Sequence, residues 1–127
     1  MPQLSEALRI DISAIGRDVC LHLVGVVDLA SCDVLRVALD ACIREGAGDV
    51  RVDMSATSFC DSVGLCTLLA ARQQLGASAR RLRVVDPSPA VSRLLDLSGT
   101  RALLDDPVRT PRRDATSDGG PRRIPAR

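Results

Sequence analysis

Between residues 9 and 104 the apolar residues change period repeatedly, from two to about 3.6 and back. Arg9 to Ile15 alternates, with Ile10 and Ile12 separated by Asp11 and Ser13. That is the pattern of a half-buried strand. Gly16-Arg17-Asp18 is a turn signal, and Val19 to Val24 is a second strand ended by Gly25, so the two form a hairpin. From Asp28 to Glu45 the spacing becomes helical. Asp33, Arg36, Asp40 and Arg44 make a charged stripe, with an Asp40–Arg44 pair one turn apart. Val34, Leu35, Ala38, Ala41 and Cys42 make the apolar stripe, and Gly46 stops the helix.

Val50 to Met54 alternates again as a third strand. Ser55 to Asp61 is a polar loop interrupted by Phe59 and Cys60. Ser62 to Leu75 reads as a helix ended by Gly76, and Arg81 to Val85 as a fourth strand. Ser88-Pro89 is a helix start that runs to Leu97 and stops at Ser98-Gly99. Arg101 to Leu104 fits a short fifth strand. The order β-β-α-β-α-β-α, with short connections, predicts an α/β domain: a mixed sheet of four or five strands packed by three helices.

That domain is expected to span residues 1–106, with 1–8 as a lead-in. Residues 107–127 hold four of the seven prolines, two adjacent glycines and six Arg against two Asp. They have almost nothing to bury and are expected to be a disordered tail. All 17 basic residues are Arg. Residues 1–106 carry 11 Arg against 14 acidic residues, a net −3, while the tail is net +4.

Composition excludes several functions. Phe59 is the single aromatic, so stacking platforms for bases or sugars are not expected. His22 is the single His, which removes most His-based catalysis and metal binding. The five cysteines are odd in number and lack C-x-x-C spacing, so neither a zinc site nor a disulfide framework is expected. They are read as small apolar residues in a reducing compartment. No apolar run approaches the ~20 residues of a membrane span, and no signal peptide is visible. A cytoplasmic protein with no membrane partner and no cofactor is expected.

The segment Val52–Leu69 (VDMSATSFCDSVGLCTLL) carries the chemistry. A strand ends, a polar loop follows, and Asp61-Ser62 opens a helix. Ser62 is either a helix cap or an exposed hydroxyl available for modification. Val63 to Ala71 contains no charge, and Thr67 is its only polar side chain. A helix apolar almost all round in so small a domain points to a partner surface. Gly64 would let another backbone approach.

This segment resembles the core motif of the STAS domain, as found in small single-domain anti-sigma factor antagonists. Gly25-Val26-Val27-Asp28 is similar to that family's G-E-[LIV]-D. Asp86 to Val91 and Asp96 to Gly99 fit the start and end of its third helix. The resemblance covers about residues 9–104. It implies a partner switch without catalysis. The unphosphorylated protein binds an anti-sigma factor that is also a serine kinase, and so frees a sigma factor. Phosphorylation, carried over to Ser62, breaks that binding, and a serine phosphatase restores it. Asp28 and Asp61 are implied as the phosphosite's surroundings. Gly25, Asp28, Ser58, Ser62, Val63, Gly64, Leu65 and Thr67 are implied as the partner contacts.

The chain departs from the family at Val26, often Glu, and at Val63, often Ser or Thr. The terminal helix common in the family is not apparent, so a monomer or weak dimer is expected. Three other readings compete with this one. A serine hydrolase would need a base against Ser62, and the G-x-S-x-G elbow is absent. A STAS scaffold, sensor or small-ligand module without a phospho-switch keeps the fold and changes the role. Nucleic-acid binding rests on the Arg-rich tail alone, and no dedicated role there is expected.

Overall fold

The structure, a computed structural model, describes residues 7–103. The expected tail at 107–127 and most of the expected lead-in lie outside the described residues. Strands β1 (Arg9–Ile15) and β2 (Asp18–Val27) form the hairpin, turned by Gly16 at φ 63. Then follow α1 (Cys32–Glu45), β3 (Val50–Asp53), β4 (Thr57–Cys60), α2 (Ser62–Gly76), β5 (Leu82–Val85) and α3 (Pro89–Ser98). A 3₁₀ turn, Arg101–Leu103, closes the described chain.

The sheet is mixed and five-stranded. Its path is β1-β2-β3-β5, with β4 pairing the far end of β2. Only β1 runs antiparallel to its neighbour. The row Ile12–Leu21–Val52–Val84 faces one way and the row Asp11–His22–Asp53–Val85 the other. Helices cover the first face. Leu21, Leu23, Val50, Val52 and Val84 pack there with Leu35 and Leu39 of α1, Leu68 and Leu75 of α2, and Val91 and Leu95 of α3. Each such burial contributes about 1.5–3 kcal/mol. Among the described residues no helix is long and apolar enough to cross a membrane.

Strand β1 forms where expected but is not half-buried: Ile10 alone is partly covered while Ile12 and Ile15 are exposed, because β1 is an edge strand paired, among the described residues, only by β2. Four further expectations are corrected. First, α1 begins at Cys32, not Asp28. The Asp28 N–H donates to Ser31 Oγ (3.0 Å), and the Ser31 N–H donates to Asp28 Oδ1 (3.2 Å). These reciprocal bonds fix residues 28–31 as a turn. Second, the ion pair on α1 is Asp33–Arg36 at 2.7 Å rather than Asp40–Arg44. Leu39 is buried in place of Val34, which is exposed.

Third, the loop expected at Ser55–Asp61 contains a strand. Strand β2 does not end at Gly25. Gly25 takes φ 113 and the strand continues to Val27, where it offers β4 a partner. Fourth, Arg101–Leu103 is a 3₁₀ turn rather than a strand, and Leu104 lies outside the described residues. Gly99 turns left-handed at φ 73, and Leu103 donates to Thr100 O at 3.0 Å, which tucks its side chain into the core.

Candidate functional site

The site forms where the parallel strands β2 and β4 end together. Val27 pairs with Cys60, and the Asp61 N–H donates to Val27 O at 3.1 Å. One residue further along each chain stand Asp28 and Asp61. The sequence separates these carboxylates widely, and only the β2–β4 pairing makes them neighbours.

Each is held by its own loop. Asp28 is half-buried, and Ser31 anchors it while also donating from Oγ to Val26 O at 2.9 Å. Asp61 is extended, and its Oδ1 accepts from the Gly64 N–H at 3.0 Å. Asp61, not Ser62, therefore caps α2. Ser62 is the first residue of the helix and is exposed, with its hydroxyl outside the cap. The helix N-terminus carries a partial positive charge that favours an anion there.

Helix α2 turns its faces in a way its composition conceals. Gly64 and Leu65, expected on the docking face, are buried. A Cβ on Gly64 would stand 2.5 Å from Val27 Cγ1 and 3.1 Å from Cys60 Sγ. The glycine thus admits the chain's own β2, not a partner. The outward stripe is Ser62, Val63, Cys66, Thr67 and Ala70, all exposed or half-buried. Thr67 Oγ1 donates back to Val63 O at 3.0 Å, so the stripe is uncharged and nearly apolar. Between it and Leu39 of α1 runs a cleft of about 320 Å³, rimmed by Arg36 and Asp40.

Ser58 is exposed, and its Oγ donates to Gly25 O at 3.3 Å. Gly25 is half-buried in the ladder, at a register shift between β2 and β4. Beneath the site, burial and then the Asp61 charge push the Cys60 thiol up to about 11. It stays protonated and inert. His22 belongs to a different cluster. Its Nδ1 meets Asp53 Oδ2 at 3.1 Å and its Nε2 meets Ser13 Oγ at 3.4 Å. Among the described residues no group of three or more His, Cys, Asp or Glu is placed to hold a metal ion.

Two features escape sequence reasoning. Thr57 is a buried polar residue whose Oγ1 donates to Leu23 O at 2.9 Å, pinning β4 to β2. Phe59 points outward rather than into the core. An alternation between Thr57 and Phe59 would have been the only local signal, and it misleads about Phe59.

A family profile described as "Mlab, STAS domain" matches residues 6–105. The anti-sigma-B factor antagonist of Bacillus subtilis (strain 168) is 26% identical over 98 residues, which are 77% of this chain and 89% of that one. The anti-sigma factor antagonist SpoIIAA in its unphosphorylated form superposes with a TM-score of 0.68 at 25% identity, over 79% of this chain and 89% of that one. An anti-sigma factor antagonist from Mycobacterium paratuberculosis shares the fold, with a TM-score of 0.72 at 23% identity, over 81% and 87% of the two chains.

Proposed function

This chain belongs to the STAS domain family, and from that membership we propose that it is an anti-sigma factor antagonist switched by phosphorylation of Ser62. The unphosphorylated form binds an anti-sigma factor serine kinase in the cytoplasm and frees a sigma factor. A serine phosphatase resets the switch. The domain itself, residues 1–106, performs no catalysis. Similarity to SpoIIAA, solved in an unphosphorylated form, supports the reading.

The observation that carries it is the position of Ser62. It is exposed, it opens α2, and it is free of the cap that Asp61 makes. A phosphate there adds about −1.5 to −2 charge. The helix N-terminus tolerates that charge, so the fold persists. The charge joins Asp28 and Asp61 to make one strongly anionic end. A partner lying along Val63, Cys66, Thr67 and Ala70 then meets repulsion and a desolvation cost. Full reversal of a bound population, from 99:1 to 1:99, takes about 5.5 kcal/mol, and a working switch needs less. The cleft between α1 and α2 is the feature that favours the other reading, a ligand-binding STAS module without a switch.

The test uses purified anti-sigma factor kinases of the source organism, incubated singly with the full chain and ATP. One of them is expected to place phosphate on Ser62, read by peptide mass spectrometry. Ser62→Ala is expected to bind that kinase constitutively, and Ser62→Asp at least about tenfold more weakly. Equal affinity of the two variants would overturn the switch.

A further inference from the structure

The irregularity in β4 decides where the chain's only aromatic side chain points. Gly25 pairs with Thr57 and Val26 with Phe59, so Ser58 is an extra residue between the two pairs. Thr57 and Cys60 both face the core, at 1% and 6% exposure. Strict alternation from Thr57 would carry Phe59 inward as well. The bulge turns it outward, and Phe59 is 51% exposed. The free chain therefore forgoes about half of the burial that Phe59 offers.

The surroundings of Phe59 are specific. Val26, its partner across the ladder, is apolar and half-buried, and lines a cleft of about 440 Å³ with Asp28 and Val34. Two residues beyond this pair stand Asp28 and Asp61, and then Ser62. Among the described residues neither carboxylate carries an ion pair. An apolar pair, Phe59 exposed and Val26 half-buried, flanked by carboxylates without ion pairs complements one kind of surface: an apolar side chain with basic residues beside it.

Resting on the antagonist reading above, we infer that Phe59 and Val26 form the apolar anchor for the anti-sigma factor. The partner seats an aliphatic side chain on this pair and turns Arg or Lys toward Asp28 and Asp61. Aromatic residues dominate interface hot spots because they bury large area with few rotors to freeze. Phe59 supplies affinity, Val26 sets which side chain the partner must present, and Ser62 decides whether the seat is usable.

The test measures, by titration calorimetry, the affinity of full-length variants for the kinase that phosphorylates Ser62. Phe59→Ala is expected to weaken binding about 30-fold or more. Val26→Glu, which removes the apolar half of the seat and sets a charge against the partner's aliphatic side chain, is expected to do the same. Phe59→Leu keeps an apolar contact and is expected to lose less than about fivefold. Thermal melts check that each variant folds. If Phe59→Ala does not fold, the contrast between Val26→Glu and Phe59→Leu decides. If Ser62→Asp weakens binding while Phe59→Ala and Val26→Glu bind like the parent, the anchor is overturned and the switch stands. If Ser62→Asp binds as tightly as Ser62→Ala, the antagonist reading falls and the anchor falls with it.

Discussion

Gly64 sits against Val27 so closely that a methyl group on its Cα would stand 2.5 Å from Val27 Cγ1 and 3.2 Å from Val27 O. Val27 is fully buried and β-branched, so its methyl cannot swing aside as the end of a long side chain can, and the carbonyl oxygen beside it is backbone. Gly64→Ala must therefore push the start of α2 away from β2, and is expected to cost ~1–3 kcal/mol. In a domain this size that is a fall of roughly 5–15 °C in Tm. An unchanged melt, with binding alone reduced, would return Gly64 to the docking face.

The cap of α2 rests on Asp61 and not on its neighbour. Asp61→Ala loses the bond to the Gly64 N–H and is expected to cost ~1 kcal/mol. Asp61→Asn keeps an oxygen in place and is expected to stay within a few tenths of that of the parent. Ser62→Ala removes only an exposed hydroxyl, so its cost is expected below ~0.5 kcal/mol. Urea denaturation of the three variants checks the order, and a Ser62→Ala cost as large as that of Asp61→Ala would move the cap.

Thiol labelling follows burial. Cys66 is exposed on the outward stripe of α2, while Cys20, Cys42 and Cys60 are buried. Burial raises the thiols of all three, that of Cys60 to about 11. Iodoacetamide at about pH 8 is expected to modify Cys66 first and to spare Cys60 until the chain unfolds. Mass spectrometry of intact and digested protein reads the order, and early loss of Cys60 would show that the β2–β4 junction opens.

Asp53 makes stability sensitive to acid. Burial opposes its ionisation, but bonds from the Ser55 backbone N–H and hydroxyl, and then His22, outweigh that and hold its carboxyl below the usual value of 3.8. A carboxyl with a lowered folded pKa stabilises the fold above its unfolded pKa. That contribution is lost as pH falls through the folded value. The Tm gap between the parent and Asp53→Asn is expected to be present near pH 5 and to narrow steadily toward about pH 2.5. A gap that widens in acid would reverse the sign.

Much of the fold was legible because its signals are local. The alternation of Arg9–Ile15, which marks the strand though not its burial, the turn at Gly16, and the Ser88-Pro89 start and Gly99 stop of α3 all lie within a few residues of what they control. The strand β4 was not legible. It is four residues long, and its partner is the stretch of β2 beyond Gly25 that local reasoning had ended. The start of α1 is hidden for a related reason, since Asp28 and Ser31 bond each other instead of joining the helix.

In the candidate site the division is sharper. The residues Val52–Leu69 by themselves determined that a serine opens an uncharged helix after a strand, because capping preference and periodicity are properties of neighbours in the chain. They could not determine which side of that helix faces out. With Val63, Leu65, Cys66, Leu68 and Leu69 apolar all round, no polar face marks the surface. Only packing of Gly64 and Leu65 on β2 leaves Val63, Cys66 and Ala70 outside. The closeness of Asp28 to Asp61 and the outward turn of Phe59 were likewise decided by the β2–β4 ladder. Contacts between residues far apart in the chain exist only once the sheet has closed, and no local pattern encodes them.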